Sequence, residues 1–217
     1  MSLPTPTRNP LLCYVTDGQT GPHSSRESLQ ALLEKIEIVA SAGVDWIQIR
    51  EKDLPGRQLA ELAGKAIQRV PQKCRILLND RVDVAIAVAA GGVHLGEKSI
   101  SVADARRLIG AQGGLGTFLA GASTHSLEAA LANEKQGADY LVFGPVFETP
   151  SKAGYGPAQG LQQLEKVCRS ISVPVLAIGG ITQENAQQCL DHGAAGIAAI
   201  RMFQNADLRA WIGNLRR

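Results

Sequence analysis

Gln48, Arg50 and Lys52 stand two apart in the run Trp46-Ile47-Gln48-Ile49-Arg50-Glu51-Lys52-Asp53. In an extended strand, residues two apart share a face, so these three point one way while Ile47 and Ile49 point the other. A planar guanidinium fork beside a mobile ammonium suits a phosphate ligand. The alternative is a solvated charge run from Arg50 to Asp53, against which stands the cost of burying Gln48 and Arg50 without partners. Asn79 and Asp80 close a second apolar run, Arg75-Ile76-Leu77-Leu78-Asn79. There they either cap the following helix or place Asp80 beside a phosphate, where it would hold Mg²⁺ with water and phosphate oxygens.

Two histidines end later runs. His94, in Val93-His94-Leu95-Gly96, faces inward and reads as a satisfied core histidine. His125 follows Gly121-Ala122-Ser123-Thr124 and so lies beside two hydroxyls. An imidazole changes charge near neutral pH, which makes His125 the candidate proton carrier, the alternative being a loop residue near a helix start. Lys152 lies in the stretch from Gly144 to Pro157, which has no apolar period. Long loops of this kind in compact domains are usually functional, and a cation there suits an anionic substrate; a plain surface lysine is the alternative. Gly179-Gly180 and Ile200-Arg201 end two further runs. Glycines let backbone N–H groups approach an anion, and the last two strand ends of a (β/α)₈ barrel are a common phosphate site.

Elements that can hold these residues together recur eight times. Apolar runs rich in Val, Ile and Leu cover Leu11 to Val15, Trp46 to Arg50, Arg75 to Asn79, Gly92 to Gly96, Phe118 to Ser123, Tyr140 to Gly144, Pro174 to Gly179 and Gly196 to Arg201. Runs apolar on both faces are typical of buried parallel strands. Helical composition follows each, over Ser28 to Ala42, Arg57 to Val70, Val82 to Ala90, Val102 to Ile109, Ser126 to Gln136, Leu161 to Ile171, Gln183 to His192 and Asp207 to Leu215. Ser126 and Thr182 read as N-caps, and Gly43, Gly137 and Gly193 as left-handed helix ends. The expectation is an α/β protein, one (β/α)₈ TIM barrel spanning residues 1–217, with residues 1–10 as a flexible N-terminal segment.

Composition narrows the classes. Lys and Arg total 22 against 20 Asp and Glu in 217 residues, so no strong field points to nucleic acid or an anionic membrane. Any anion site must be local. Aromatic residues make up only 4% of the chain, which suits a core of stacked aliphatic side chains. Cys13, Cys74, Cys168 and Cys189 are scattered without a CxxC pair, which reads as reduced, mostly buried thiols rather than a zinc site or disulfide framework. The start, with three prolines before position 11 and no apolar run, does not look like a signal peptide. The apolar stretch Val82 to Val93 is too short to span a bilayer. A cytoplasmic location is expected, with no membrane partner.

The motifs, in order, resemble the thiamin-phosphate synthase/TenI family from Tyr14 to Phe203: Gln48-Ile-Arg-Glu-Lys52, Asn79-Asp-Arg-Val-Asp83, Gly92-Val-His-Leu-Gly96, Ser123-Thr-His125, Gly137-Ala-Asp-Tyr140, Gly144-Pro-Val-Phe147 and Ile178-Gly-Gly-Ile181. The resemblance implies an enzyme of thiamin (vitamin B1) biosynthesis acting on small phosphorylated substrates. In the synthase branch, Gln48, Arg50, Lys52, Asn79 and Lys152 would hold a pyrimidine diphosphate and Asp80 its Mg²⁺. The thiazole phosphate would meet Gly179, Gly180, Ile200 and Arg201, with Ser123, Thr149 and Ser151 as further substrate contacts.

Two departures bear on the branch. Ser99 stands where the synthase pattern has a second Mg²⁺-binding Asp, with Glu97 as the neighbouring carboxylate that would have to replace it, and Arg201 stands where the synthase has Ser. Ser99 and Glu148 are instead similar to TenI-like thiazole tautomerases, which need no metal and in which a histidine matching His125 moves a proton. The expectation leans slightly to the tautomerase, with the synthase as the alternative and a catalytically silent regulatory barrel that binds a phosphorylated metabolite as a third reading. Assembly as a homo-oligomer is left open.

Overall fold

The computed structural model describes residues 9–111, 116–149, 157–204 and 207–216. Eight strands and eight α-helices alternate: β1 Leu11–Val15, α1 Arg26–Ala42, β2 Trp46–Ile49, α2 Gly56–Arg69, β3 Arg75–Asn79, α3 Val82–Ala87, β4 Gly92–Leu95, α4 Val102–Ala111, β5 Leu119–Thr124, α5 Leu127–Lys135, β6 Tyr140–Phe143, α6 Gly160–Ser170, β7 Val175–Ile178, α7 Ala186–Asp191, β8 Gly196–Ala199 and α8 Leu208–Leu215. A 3₁₀ turn, Arg201–Gln204, joins β8 to α8. Each strand pairs in parallel with the next, and β1 pairs with β8 in the register Leu11↔Gly196, which closes the barrel. The expected TIM barrel is the observed fold. Of the expected flexible segment, residues 1–8 lie outside the described residues, and the rest leads into β1 with Pro10 buried.

Alternation along each strand divides the apolar side chains into two layers. Cys13, Val15, Trp46, Leu77, Tyr140 and Val142 fill the barrel interior with Leu176 and Ala198. The opposite faces, Ile47 and Ile49 among them, pack under the helices. In α1, Leu32, Leu33, Ile36, Val39 and Ala40 are buried at helical spacing, so the helix presents one stripe to the sheet. Ser126 caps α5 by accepting the Ala129 N–H at 3.1 Å. Gly43, Gly137 and Gly193 take positive φ at helix ends as expected. Thr182 does not cap α7. A turn intervenes, the Asn185 side chain accepts the Thr182 N–H at 2.8 Å, and the helix begins at Ala186.

The end of the barrel away from the strand C-termini carries two matching clasps. Asp45, before β2, accepts the Leu12 N–H at 2.8 Å and pairs with Arg216, which also donates to the carbonyls of Gly43 (2.9 Å) and Pro10 (3.2 Å). Asp139, before β6, accepts the Ala120 N–H at 2.7 Å and pairs with Arg106, which also donates to the Gly137 carbonyl at 2.9 Å. All four cysteines are free, three of them buried, and burial pushes Cys13, Cys74, Cys168 and Cys189 up to about 12. Among the described residues no helix is long and apolar enough to cross a membrane.

Candidate functional site

A cavity of about 380 Å³ opens at the C-terminal ends of the strands, the end at which barrel enzymes carry their sites. Gln48 from β2, Asn79 from β3 and Ser123 from β5 line it, with Arg50, Lys52, Asp80 and His125 placed just beyond their strand ends. The alternation of β2 therefore does what its sequence demands, sending Gln48 and Arg50 to the mouth while Ile47 and Ile49 join the outer core. Gln48 is 4% exposed and donates to Asn79 Oδ1 at 2.9 Å; Asn79 in turn donates to Asp80 Oδ2 at 2.7 Å. Neither Arg50 nor Lys52 has a carboxylate partner among the described residues.

Glu51 was not singled out in the sequence, and it does not belong to a solvated charge run. It is 3% exposed and its carboxylate accepts from Thr16 Oγ1, from Gly18 N at 3.3 Å, and from both the N–H (2.9 Å) and Oγ1 (2.6 Å) of Thr20. Thr16 Oγ1 accepts the Arg50 N–H at 2.8 Å. This buried network ties the loop after β1 to the strand end that carries Arg50. Its signal lay in the same alternation, which puts Glu51 on the face opposite Arg50.

Asp80 occupies the left-handed region at φ 61°, a conformation that Asp tolerates better than most side chains. Its Oδ1 accepts from Gly96 N at 3.2 Å and from the Ser99 hydroxyl, and among the described residues its Oδ2 accepts only from Asn79. A carboxylate oxygen accepts about two hydrogen bonds, so Oδ2 keeps one lone-pair direction. That donor set fits Mg²⁺ held by a single carboxylate, with the other ligands drawn from water and substrate oxygens. Among the described residues no group of three or more His, Cys, Asp or Glu is placed to hold a metal ion. Glu97 instead has its Oε1 3.6 Å from His125 Nε2.

The two histidines differ in setting. His94 is 3% exposed; its Nδ1 is 3.1 Å from Tyr140 Oη and its Nε2 2.9 Å from Ser123 Oγ, so it is a satisfied core histidine whose edge also lines the cavity. Trp46 packs against Tyr140 with ring centroids 4.7 Å apart and the ring planes tilted by 55°, making an aromatic floor below it. The Nδ1 of His125 donates to the carbonyl of Gly144, since a carbonyl can only accept. The other nitrogen, Nε2, is thereby left on the side of Glu97 and the cavity.

A second cavity, about 520 Å³, lies between the ends of β7 and β8 and is lined by Glu148, Thr149, Gly179, Gly180, Thr182 and Arg201. Gly179 and Gly180 have φ of 97° and 65°, and a Cβ on Gly180 would stand 2.5 Å from the Glu148 carbonyl oxygen. Only glycine fits there. Asn185 donates to the Gly180 carbonyl at 3.0 Å, and Arg201, exposed, donates to Thr149 Oγ1 at 3.3 Å. Ile178 and Ile200 line both cavities and form their common wall. Gln48, Arg50, Lys52, Asn79, Asp80, Ser123 and His125 thus share one chamber, while Thr149, Gly179, Gly180 and Arg201 share the next. Ser151 and Lys152 lie outside the described residues.

Comparison with known proteins gives a consistent result. A family model described as thiamine monophosphate synthase matches residues 12–203. A putative thiamine-phosphate synthase of Geobacter sulfurreducens is 46% identical over 171 residues, covering 78% of each chain. A thiamine-phosphate synthase of Chlorobium luteolum is 40% identical over 201 residues, covering 92% of this chain and 87% of its own. Among solved structures, a thiamine phosphate pyrophosphorylase from Pyrococcus furiosus superposes with a TM-score of 0.77 at 35% identity, over 96% of this chain and 95% of that one.

Proposed function

This chain belongs to the thiamine monophosphate synthase family, and on that premise we propose that it joins a pyrimidine methyl diphosphate to a thiazole phosphate with release of pyrophosphate. The observation that carries the proposal is the pair of cavities divided by Ile178 and Ile200. A two-substrate coupling needs two anion pockets opening on one shared wall, where the reacting carbon and nitrogen can meet. The lean toward the tautomerase, drawn from Ser99 and Glu148, gives way because the relatives compared carry the synthase name.

In this reading Gln48 and Asn79 orient the pyrimidine, and Arg50 and Lys52, with Lys152, take the diphosphate. The backbone N–H groups at Gly179 and Gly180 and the side chain of Arg201 take the thiazole phosphate, with Ile200, Thr149, Ser151 and Ser123 as the remaining contacts. The methylene carbon–oxygen bond breaks as pyrophosphate leaves, a carbocation-like centre forms, and the thiazole nitrogen supplies the electron pair for the new bond. The cations act by stabilising the departing charge. Mg²⁺, held by Asp80, would add further neutralisation of the leaving group when bound.

A second reading, thiazole tautomerisation, is favoured by one observation: His125 is held by the Gly144 carbonyl with Nε2 on the cavity side. That is the arrangement a proton carrier needs. The deciding experiment incubates purified protein with both synthase substrates, with and without Mg²⁺, and follows thiamin phosphate. Formation of the product supports the coupling reaction; its absence, alongside isomerisation of a carboxythiazole phosphate, reverses the assignment.

A further inference from the structure

We infer that Lys98 is a further cationic contact for the diphosphate, beside Arg50, Lys52 and Lys152, and adds to the positive charge of the first cavity; that the anion is the substrate's diphosphate rests on the coupling reaction proposed above. Lys98 sits in the turn after β4. That turn is closed by Ser99 N donating to the Gly96 carbonyl at 3.0 Å and by Gly96 N donating to Ser99 Oγ at 2.7 Å. Ser99 also donates to Asp80, so the turn is anchored to the cavity wall at both ends. Its two central residues are Glu97 and Lys98, and both line the cavity. Glu97 is directed to His125. Lys98 is exposed and has no carboxylate partner among the described residues.

Among the described residues the charged side chains that line this cavity are Arg50, Lys52 and Lys98 against Asp80 and Glu97. Among the described residues three cations thus face two carboxylates, and Lys98 is one of the three. A pyrophosphate group carries several negative charges, so each cation placed against it adds to its affinity. The residue after Lys98 is Ser99, a hydroxyl with no charge to attract a divalent ion. Lys98 therefore supplies in the chain itself part of the compensation that a metal would otherwise bring.

The test uses inorganic pyrophosphate as the probe, titrated calorimetrically into the full chain at low ionic strength, where exposed charges are least screened. The proteins compared are the unaltered chain, Lys98→Gln, Lys98→Arg and, as a control at the opposite end of the barrel, Lys135→Gln. Lys98→Gln is expected to weaken binding about tenfold, the scale of one lost charge-assisted hydrogen bond. Lys98→Arg should restore most of it, and Lys135→Gln should match the unaltered chain. In coupling assays, Lys98→Gln should raise KM for the pyrimidine diphosphate and leave KM for the thiazole phosphate unchanged. Equal pyrophosphate binding by Lys98→Gln, or none by the unaltered chain, overturns the role of Lys98. Lys98-dependent binding of pyrophosphate without formation of thiamin phosphate removes the coupling reaction alone.

Discussion

The hydroxyl of Ser99 donates to Oδ1 of Asp80, and the Gly96 N–H donates to the same oxygen. Among the described residues the carboxylate is thus committed on one side and open through Oδ2, which limits the grip it has on a divalent ion. Replacing Ser99 by Asp removes the donor and adds a second carboxylate at the same turn. Ser99→Asp is expected to move half-maximal coupling to lower Mg²⁺ concentration, measured by titrating Mg²⁺ at saturating substrates. An unchanged Mg²⁺ dependence would show that Ser99 does not limit the site.

His125 separates the two chemistries. His125→Gln removes the group that exchanges protons, and tautomerisation of a carboxythiazole phosphate should fall about a hundredfold or more. Under the coupling reaction the same change should cost less than Arg50→Gln, because in that reaction Arg50 would take the diphosphate and no proton transfer would be asked of His125. Steady-state rates for both reactions with both variants give the comparison.

Gly180 has no room for a side chain. Gly180→Ala would drive a Cβ to within 2.5 Å of the Glu148 carbonyl at a positive φ. The loop must move, and the N–H groups facing the second cavity move with it. Thiazole phosphate affinity should drop at least tenfold, read by calorimetry, while pyrophosphate binding in the first cavity changes little. Equal losses at both sites would mean that the two cavities are not independent.

Glu51 tests the loop after β1. Glu51→Ala leaves the Thr16 and Thr20 hydroxyls and the Thr20 N–H without their buried acceptor, at a cost of about 1–3 kcal/mol for each unsatisfied group not reached by water. Chemical denaturation should show a midpoint shift of that order with an unchanged m-value. Because Thr16 also holds the Arg50 N–H, KM for the pyrimidine diphosphate should rise as well.

What was legible in the sequence depended on how local its cause is. The strands were legible because each is apolar on both faces, and Gln48, Arg50 and Lys52 because a period of two sends alternate residues to one side. The edges slipped by a residue or two: the fifth strand, expected over Phe118 to Ser123, is Leu119–Thr124. Thr182 failed as a cap because Asn185, three residues on, takes its N–H and the Gly180 carbonyl together, delaying the helix. For Glu51 the alternation marks the face but not the partners. Its acceptors' partners lie 31 to 35 residues away, and nothing in the text near Glu51 marks Thr16 and Thr20 as their site. The division of the mouth into two chambers likewise depends on Ile178 and Ile200, residues whose type carries no chemistry.

The two clasps at the closed end place Arg106 toward Gly137 and Asp139 as Arg216 is placed toward Gly43 and Asp45. Each joins a helix to the strand pair that follows it around the ring, α4 to β5 and β6, and α8 to β1 and β2. The barrel is in this respect indifferent to where its thread begins. A chain rejoined from Arg216 to Pro10, which are already in contact, and opened instead between α4 and β5 would exchange the parts played by the two clasps without breaking either.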